Sequence, residues 1–123
     1  MPMKPIRLGV LMDDISSIKP HKDSTFAMML EAQARHWEIY TFDSSDMYYS
    51  DGKVIADSRK TLVNDSESDW HSREDAQPLS LGTLDAVFMR KDPPFDMDYI
   101  YATYLLEQLE SDGVLVVNKP SSL

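Results

Sequence analysis

The chain contains no cysteine. Disulfides, thiolate nucleophiles and sulfur-ligated metal sites are therefore excluded. Glycine is scarce, four residues in 123. The phosphate-cradling patterns G-x-x-x-x-G-K and G-x-G-x-x-G are missing, as is the nucleophile elbow. No apolar run approaches the ~20 residues that cross a bilayer. The first twelve residues carry two basic side chains and one short apolar run that stops at Asp13-Asp14. They have no small-residue cleavage site, so no signal peptide is expected. Positive charge is also in deficit, 12 Lys and Arg against 21 Asp and Glu, for a net charge of -9. Such a surface repels nucleic-acid backbones and anionic lipid, and neither is an expected partner. A local basic cluster can still hold a small anion against that field. With 42% hydrophobic and 27% charged residues, the composition is that of a globular protein rather than a disordered one. A chain of this length reads as one domain that buries roughly two-thirds of its unfolded surface.

What is present is an alternation of short apolar runs and helical patterns. Ile6 to Met12 is mixed rather than alternating and reads as a buried strand ended by Asp13-Asp14. A helix is expected to start near Asp23 or Ser24, either of which can cap it. Phe26, Met29 and Leu30 then recur at helical spacing, with Gln33 extending the stripe as a polar member. Glu31 and Arg35 stand four apart in the favourable order. Trp37 to Phe42 alternates and reads as a second strand, giving a βαβ unit with a parallel pair. Asp51-Gly52 between the β-prone runs of Met47 to Ala56 predicts a hairpin, because a type I′ turn needs positive φ at both central residues. Residues 57–83 show no sustained period and predict an irregular excursion, with a short helix near Trp70 and a strand over Thr61 to Val63. Asp85 to Met89 reads as another buried strand. Arg90 to Asp96 is a loop that the double proline keeps out of helix. A second helix follows, with Ala102, Leu105, Leu106 and Leu109 as its apolar stripe and Gly113 as its stop. Val114 to Val117 is the last strand. The fold class is α/β, a mainly parallel sheet flanked by helices with a β-hairpin insertion. Ligands in such sheets sit beyond the carboxyl ends of the strands, which points to 13–24, 43–46, 90–96 and 118–123.

Arg90-Lys91-Asp92-Pro93-Pro94-Phe95-Asp96 is the segment richest in chemistry. It sets two cations directly after a strand in a proline-stiffened loop. A guanidinium fork matches a carboxylate or phosphate bidentately, and a stiff loop loses less entropy on binding. The competing reading is a proline turn with a structural Arg–Asp pair. Lys22-Asp23-Ser24-Thr25 opens a helix whose amino end suits an anion, although simple capping explains it as well. Asp13 and Asp14 are candidates for a metal or an ammonium group, or a solvated strand end. His21, His36 and His71 lack metal-ligand spacing. A phospho-receiver domain has a similar acidic pair and a Lys-Pro like Lys119-Pro120. It needs an aspartate where this chain has Arg90.

The segments KDSTFAMMLEAQ (22–33), Asp46-Met47-Tyr48, LDAVFMRKDPPFD (84–96), YIYATYLLE (99–107) and VVNKP (116–120) together closely resemble the amino-terminal part of bacterial glutathione synthetase, an ATP-grasp ligase. They follow the family's order and spacing from end to end. The match is poor over 57–83, and it departs at Met1-Pro2-Met3 and at Asp14, where the family commonly has proline. The resemblance implies a Rossmann-like, pre-ATP-grasp domain over residues 1–120, with 121–123 starting the linker to an ATP-grasp portion outside this chain. It implies an enzyme that joins γ-glutamylcysteine to glycine. ATP phosphorylates the cysteinyl carboxylate, and glycine's amine displaces the phosphate. The family holds ATP and Mg2+ in its later subdomains, so neither is expected on this fragment, which should be inactive alone and carry no catalytic or metal-ligating residue. Its amino-terminal domain forms one wall of the substrate cleft and joins in oligomer contacts, a homo-tetramer in the family, in the cytoplasm. On that basis Arg90 is expected to meet a substrate carboxylate, Lys91 to assist it, and Asp13, Ser24 and Asn118 to line the cleft. The alternatives are the receiver-like signalling domain and an α/β binding module related by ancestry only.

Overall fold

A computed structural model describes residues 5–12, 24–63, 71–89 and 97–118. Strand β1 (Arg7–Leu11) lies at the centre. It pairs in parallel with β2 (Glu38–Phe42) on one side and with β7 (Ala86–Met89) on the other. β7 pairs in parallel with β8 (Leu115–Asn118). Helix α1 (Ser24–Ala34) connects β1 to β2, and α2 (Met97–Ser111) connects β7 to β8. The parallel core therefore runs β2-β1-β7-β8, and its order reverses between β1 and β7.

Both faces of this core are covered, which explains why β1 reads as a continuous apolar run. Leu8, Val10 and Ile39 face α1, where they meet Phe26, Met29 and Ala32. Leu11, Phe42, Val87 and Met89 belong to the opposite cluster with Ala102, Leu105, Leu106 and Leu109 of α2. The four residues expected as the stripe of α2 are all buried. Gly113 closes α2 at φ 98. A Cβ there would meet no atom within 4 Å, so the cost of Gly113→Ala is backbone strain alone. A loss of about 1 kcal/mol is expected, read as a lowered Tm.

Beyond β2 the sheet becomes antiparallel. The 3₁₀ turn Ser44–Asp46 leads into β3 (Met47–Ser50), and β4 (Lys53–Val63) returns as an eleven-residue strand. The turn between them has Asp51 at φ 53 and Gly52 at φ 76, positive at both as expected. β4 pairs with β2 and β3, and also with β5 (His71–Arg73) and β6 (Gln77–Ser80).

This corrects the irregular excursion expected over 57–83. Its described residues are largely strand, with a 3₁₀ turn at Leu81–Thr83. Periodicity failed there for a physical reason. β5 and β6 are mostly exposed and are held by backbone pairing, so nothing selects an apolar face. The helix expected near Trp70 centres on a residue outside the described ones, and His71 beside it begins a strand.

Gln33 has a role that its polar place in the stripe only hinted at. Its side-chain Nε2 donates to the Val63 carbonyl, and its Oε1 accepts from the Val63 amide at 2.8 Å. One amide side chain thus ties α1 to the end of β4. Gln33→Ala is expected to cost about 1–2 kcal/mol in urea unfolding, because two part-buried backbone groups lose their partners. The Glu31–Arg35 pair forms as expected at 2.9 Å, but both side chains are more than 60% exposed. Its contribution is correspondingly small.

Candidate functional site

The parallel strands set one rim. Leu11 lies in register with Phe42 of β2 and Met89 of β7, and Met89 with Asn118 of β8. Four carboxyl ends therefore share an edge, and the β1/β7 boundary is where ligands gather in open α/β sheets.

A cavity of about 360 Å³ opens at this edge, beside β1 and β2. Its walls include Met12, Thr41 and Phe42 from the strand ends, and Asp43, Ser45 and Asp46 from the turn after β2. Asp57 and Arg59 of β4, with Arg73 and Ala76, complete it. The register explains the opening. The β4 partner changes from β2 at Arg59 to β3 at Ala56, and on its other ladders from β5 at Thr61 to β6 at Ser58. Both changes fall at the level of Asp57 to Lys60.

Several contacts fix the walls. Asp43 caps the 3₁₀ turn, with its Oδ1 accepting from the Ser44 amide at 2.6 Å. Asp46 returns the favour, its Oδ2 accepting from the Asp43 amide at 2.9 Å. The buried hydroxyls of Thr41 and Thr61 lie 3.0 Å apart and join β2 to β4 beneath Arg59. Thr61 Oγ1 lies 2.9 Å from the Arg59 carbonyl, to which it can also donate. Among the described residues, Arg59 forms no ion pair.

A second cavity of about 230 Å³ lies between Arg7, Tyr40, Lys60 and the 74–79 segment. Its two cations are already engaged by Glu38. Arg7 reaches Glu38 at 3.5 Å and stacks over Tyr40 at 5.1 Å, and Lys60 reaches Glu38 at 3.7 Å. That arrangement is structural, bracing β1, β2 and β4.

The residues singled out in the sequence are placed unequally. Arg90, Lys91 and Asp13 lie outside the described residues. In the sequence, Asp13 follows Met12 in the cavity wall, and Arg90 follows Met89 at the end of β7. Ser24 opens α1 and Asn118 closes β8, both by backbone position only. Of the four segments expected to matter, 43–46 is described throughout, and it lines the cavity. Sequence reasoning missed Arg59 and Arg73. The signal lay in Val54, Ala56 and Ser58, which alternate as the inward face of β4 and put Asp57, Arg59 and Thr61 together on the other.

In open α/β sheets with helices on both faces, ligand sites lie at the carboxyl edge, which is where this domain has its charged cavity. The chain matches the family described as prokaryotic glutathione synthetase, N-terminal domain, over residues 6–123, and it belongs to that family. It is 52% identical over 118 residues to the glutathione synthetase of Vibrio vulnificus (strain YJ016). It is 51% identical to that of Photorhabdus laumondii and 49% identical to that of Pseudomonas putida. In each comparison 96% of this chain is covered, and the chain spans 37% of the curated relative's length. The family match displaces the receiver-like alternative.

Proposed function

We propose that this chain is the substrate-side domain of a glutathione synthetase, a ligase that joins γ-glutamylcysteine to glycine at the expense of ATP. Residues 1–120 form the domain, and 121–123 begin the link to an ATP-grasp portion. The domain supplies one wall of the cleft and contacts between subunits of a cytoplasmic homo-oligomer, and alone it does not catalyse. Arg90 meets a substrate carboxylate, with Lys91 beside it and Asp13, Ser24 and Asn118 along the wall.

One observation carries this reading. β7 runs parallel to β1 and ends in register with it, so the chain enters the sequence Arg90-Lys91-Asp92-Pro93-Pro94 from the edge that holds the cavity. An antiparallel β7 would have delivered the two cations to the far edge.

ATP and Mg2+ fit the described residues of this domain poorly. Among them the cavity wall sets three aspartates against two arginines, which disfavours a polyphosphate. Among the described residues no three His, Asp or Glu side chains gather closely enough to hold a metal ion. Nucleotide and magnesium are accordingly assigned to the later portion of the enzyme.

The test is to extend the protein past Leu123 to the length of its relatives. Phosphate release that needs ATP, γ-glutamylcysteine and glycine together is expected. Absence of that activity, with no thermal shift on adding γ-glutamylcysteine, would leave an α/β binding module and sink the ligase reading.

A further inference from the structure

We propose that the cavity at the carboxyl edge receives an α-amino-acid head, an ammonium and a carboxylate on one carbon, and that this is the γ-glutamyl end of the substrate. The inference rests on the ligase reading and adds to it a place and an orientation.

The wall carries both signs, and Asp57 and Arg59 stand two apart on β4. The arginines come from β4 and β5, and two of the aspartates come from the turn after β2. A polyanion meets the carboxylates, and a cation meets the guanidinium groups. A zwitterion satisfies both ends at once. The volume of about 360 Å³ falls at the small end of the roughly 300–1,000 Å³ typical of ligand pockets. It admits an amino-acid head with its methylenes, whereas a nucleotide would fill or exceed it.

Arg59 is the carboxylate partner. Its backbone lies mid-strand, paired opposite Thr41, and the Thr61 hydroxyl is within reach of its carbonyl. Its side chain is half-buried. A guanidinium held this way loses little freedom when it closes a bidentate pair. Arg73 stands on three-residue β5, opposite Thr61 and on the same face, and is more exposed. It contributes field rather than a fixed fork. Asp57, two residues before Arg59 on the same face of β4, is the first ammonium partner. Asp46 is the second. Its capping bond uses Oδ2, which orients the carboxylate and leaves Oδ1 outside that bond.

Glycine is also a zwitterion, so the same chemistry has two sources. It must, however, present a free amine to an acyl phosphate. A site that grips its ammonium between aspartates would hold it unreactive. The γ-glutamyl head takes no part in bond formation and can be held tightly at both ends.

Steady-state kinetics of the full-length protein test this with three peptides. They are γ-glutamylcysteine, 4-aminobutanoyl-cysteine, which lacks the α-carboxylate, and glutaryl-cysteine, which lacks the ammonium. Arg59→Ala should raise KM for γ-glutamylcysteine by about tenfold or more, the loss of one charge-assisted pair. It should change KM for 4-aminobutanoyl-cysteine less than about threefold and leave that for glycine unmoved. Asp57→Asn should show the mirror pattern, sparing glutaryl-cysteine. Arg59→Gln repeats the measurement with a side chain closer in length, in case the alanine variant folds poorly. Equal rises with and without the carboxylate, no rise, or a rise in glycine's KM instead would overturn the assignment while the ligase reading stands. A full-length protein that makes no glutathione sinks both.

Discussion

Leu109→Ala should lower the free energy of unfolding by roughly 2–5 kcal/mol. Leu109 is 1% exposed and sits in the cluster that joins α2 to the underside of the sheet, with Leu11, Phe42, Val87 and Val114. Its carbonyl also accepts from the amides of Asp112 and Val114, at 3.0 and 3.1 Å, so the end of α2 is fastened at this residue. Removing three carbons leaves a void that a central sheet strand and a fifteen-residue helix cannot easily close. Against a total stability of roughly 5–15 kcal/mol, that is a large fraction. The consequence reaches the edge of the sheet. β7, α2 and β8 form one crossover, and the segment 90–96 lies between β7 and α2. A loosened α2 therefore acts on the element that follows that segment. Tyr104→Ala is the matching control, since Tyr104 is on the same helix and 63% exposed. It should alter stability by less than about 0.5 kcal/mol. Urea denaturation followed by circular dichroism measures both. Equal costs would mean that α2 does not present the Ala102, Leu105, Leu106, Leu109 face to the sheet.

Wherever burial dictated the pattern, the architecture was legible from the sequence. β1 and β7 appear as short apolar runs and β2 as an alternating one. α1 and α2 show their stripes, and Asp51-Gly52 announces its turn because few other pairs accept positive φ at both positions. In the stretch after the hairpin only the strand over Thr61 to Val63 was legible, and it is the end of β4. β4 carries Asp57, Arg59 and Lys60 on a strand, where the usual apolar marker is missing, and β5 and β6 have hardly any buried side chains. Those strands exist because an unpaired long strand would leave its backbone groups unsatisfied. That is a tertiary reason, which local periodicity does not contain. The candidate site divides along the same line. The family resemblance weighted the ends of β7 and β8, where its motifs are strong. The cavity's cations, Arg59 and Arg73, come from the segment where the resemblance is weakest. Their meeting at the carboxyl edge depends on a register shift between four ladders, and no spacing in the sequence encodes that shift visibly.

Arg90→Ala in the full-length enzyme should raise KM for γ-glutamylcysteine by about 10- to 100-fold and leave stability nearly unchanged. The first figure follows from losing a charge-assisted bond of about 1.5–3 kcal/mol. The second follows from the place of residue 90 in the chain. Met89 ends β7 and is buried, and the strand's pairing with β1 and β8 is complete at that residue. No backbone pairing of the sheet depends on the next side chain, and the expected cost is within about 0.5 kcal/mol. Arg90→Lys should recover only part of the loss, since an ammonium supplies a point charge where a guanidinium supplies a fork. The comparison with Arg59 is sharper still. γ-Glutamylcysteine carries two carboxylates, one on the γ-glutamyl α-carbon and one on the cysteinyl residue. If Arg59 takes the first and Arg90 the second, the two alanine substitutions act on separate groups, and their effects on KM should multiply in the double variant. If both serve one carboxylate, the double variant should be little worse than the weaker single one. A normal KM in a folded Arg90→Ala enzyme would remove Arg90 from the site, and the wall of the cleft would then have to be built around the cavity at β4 alone.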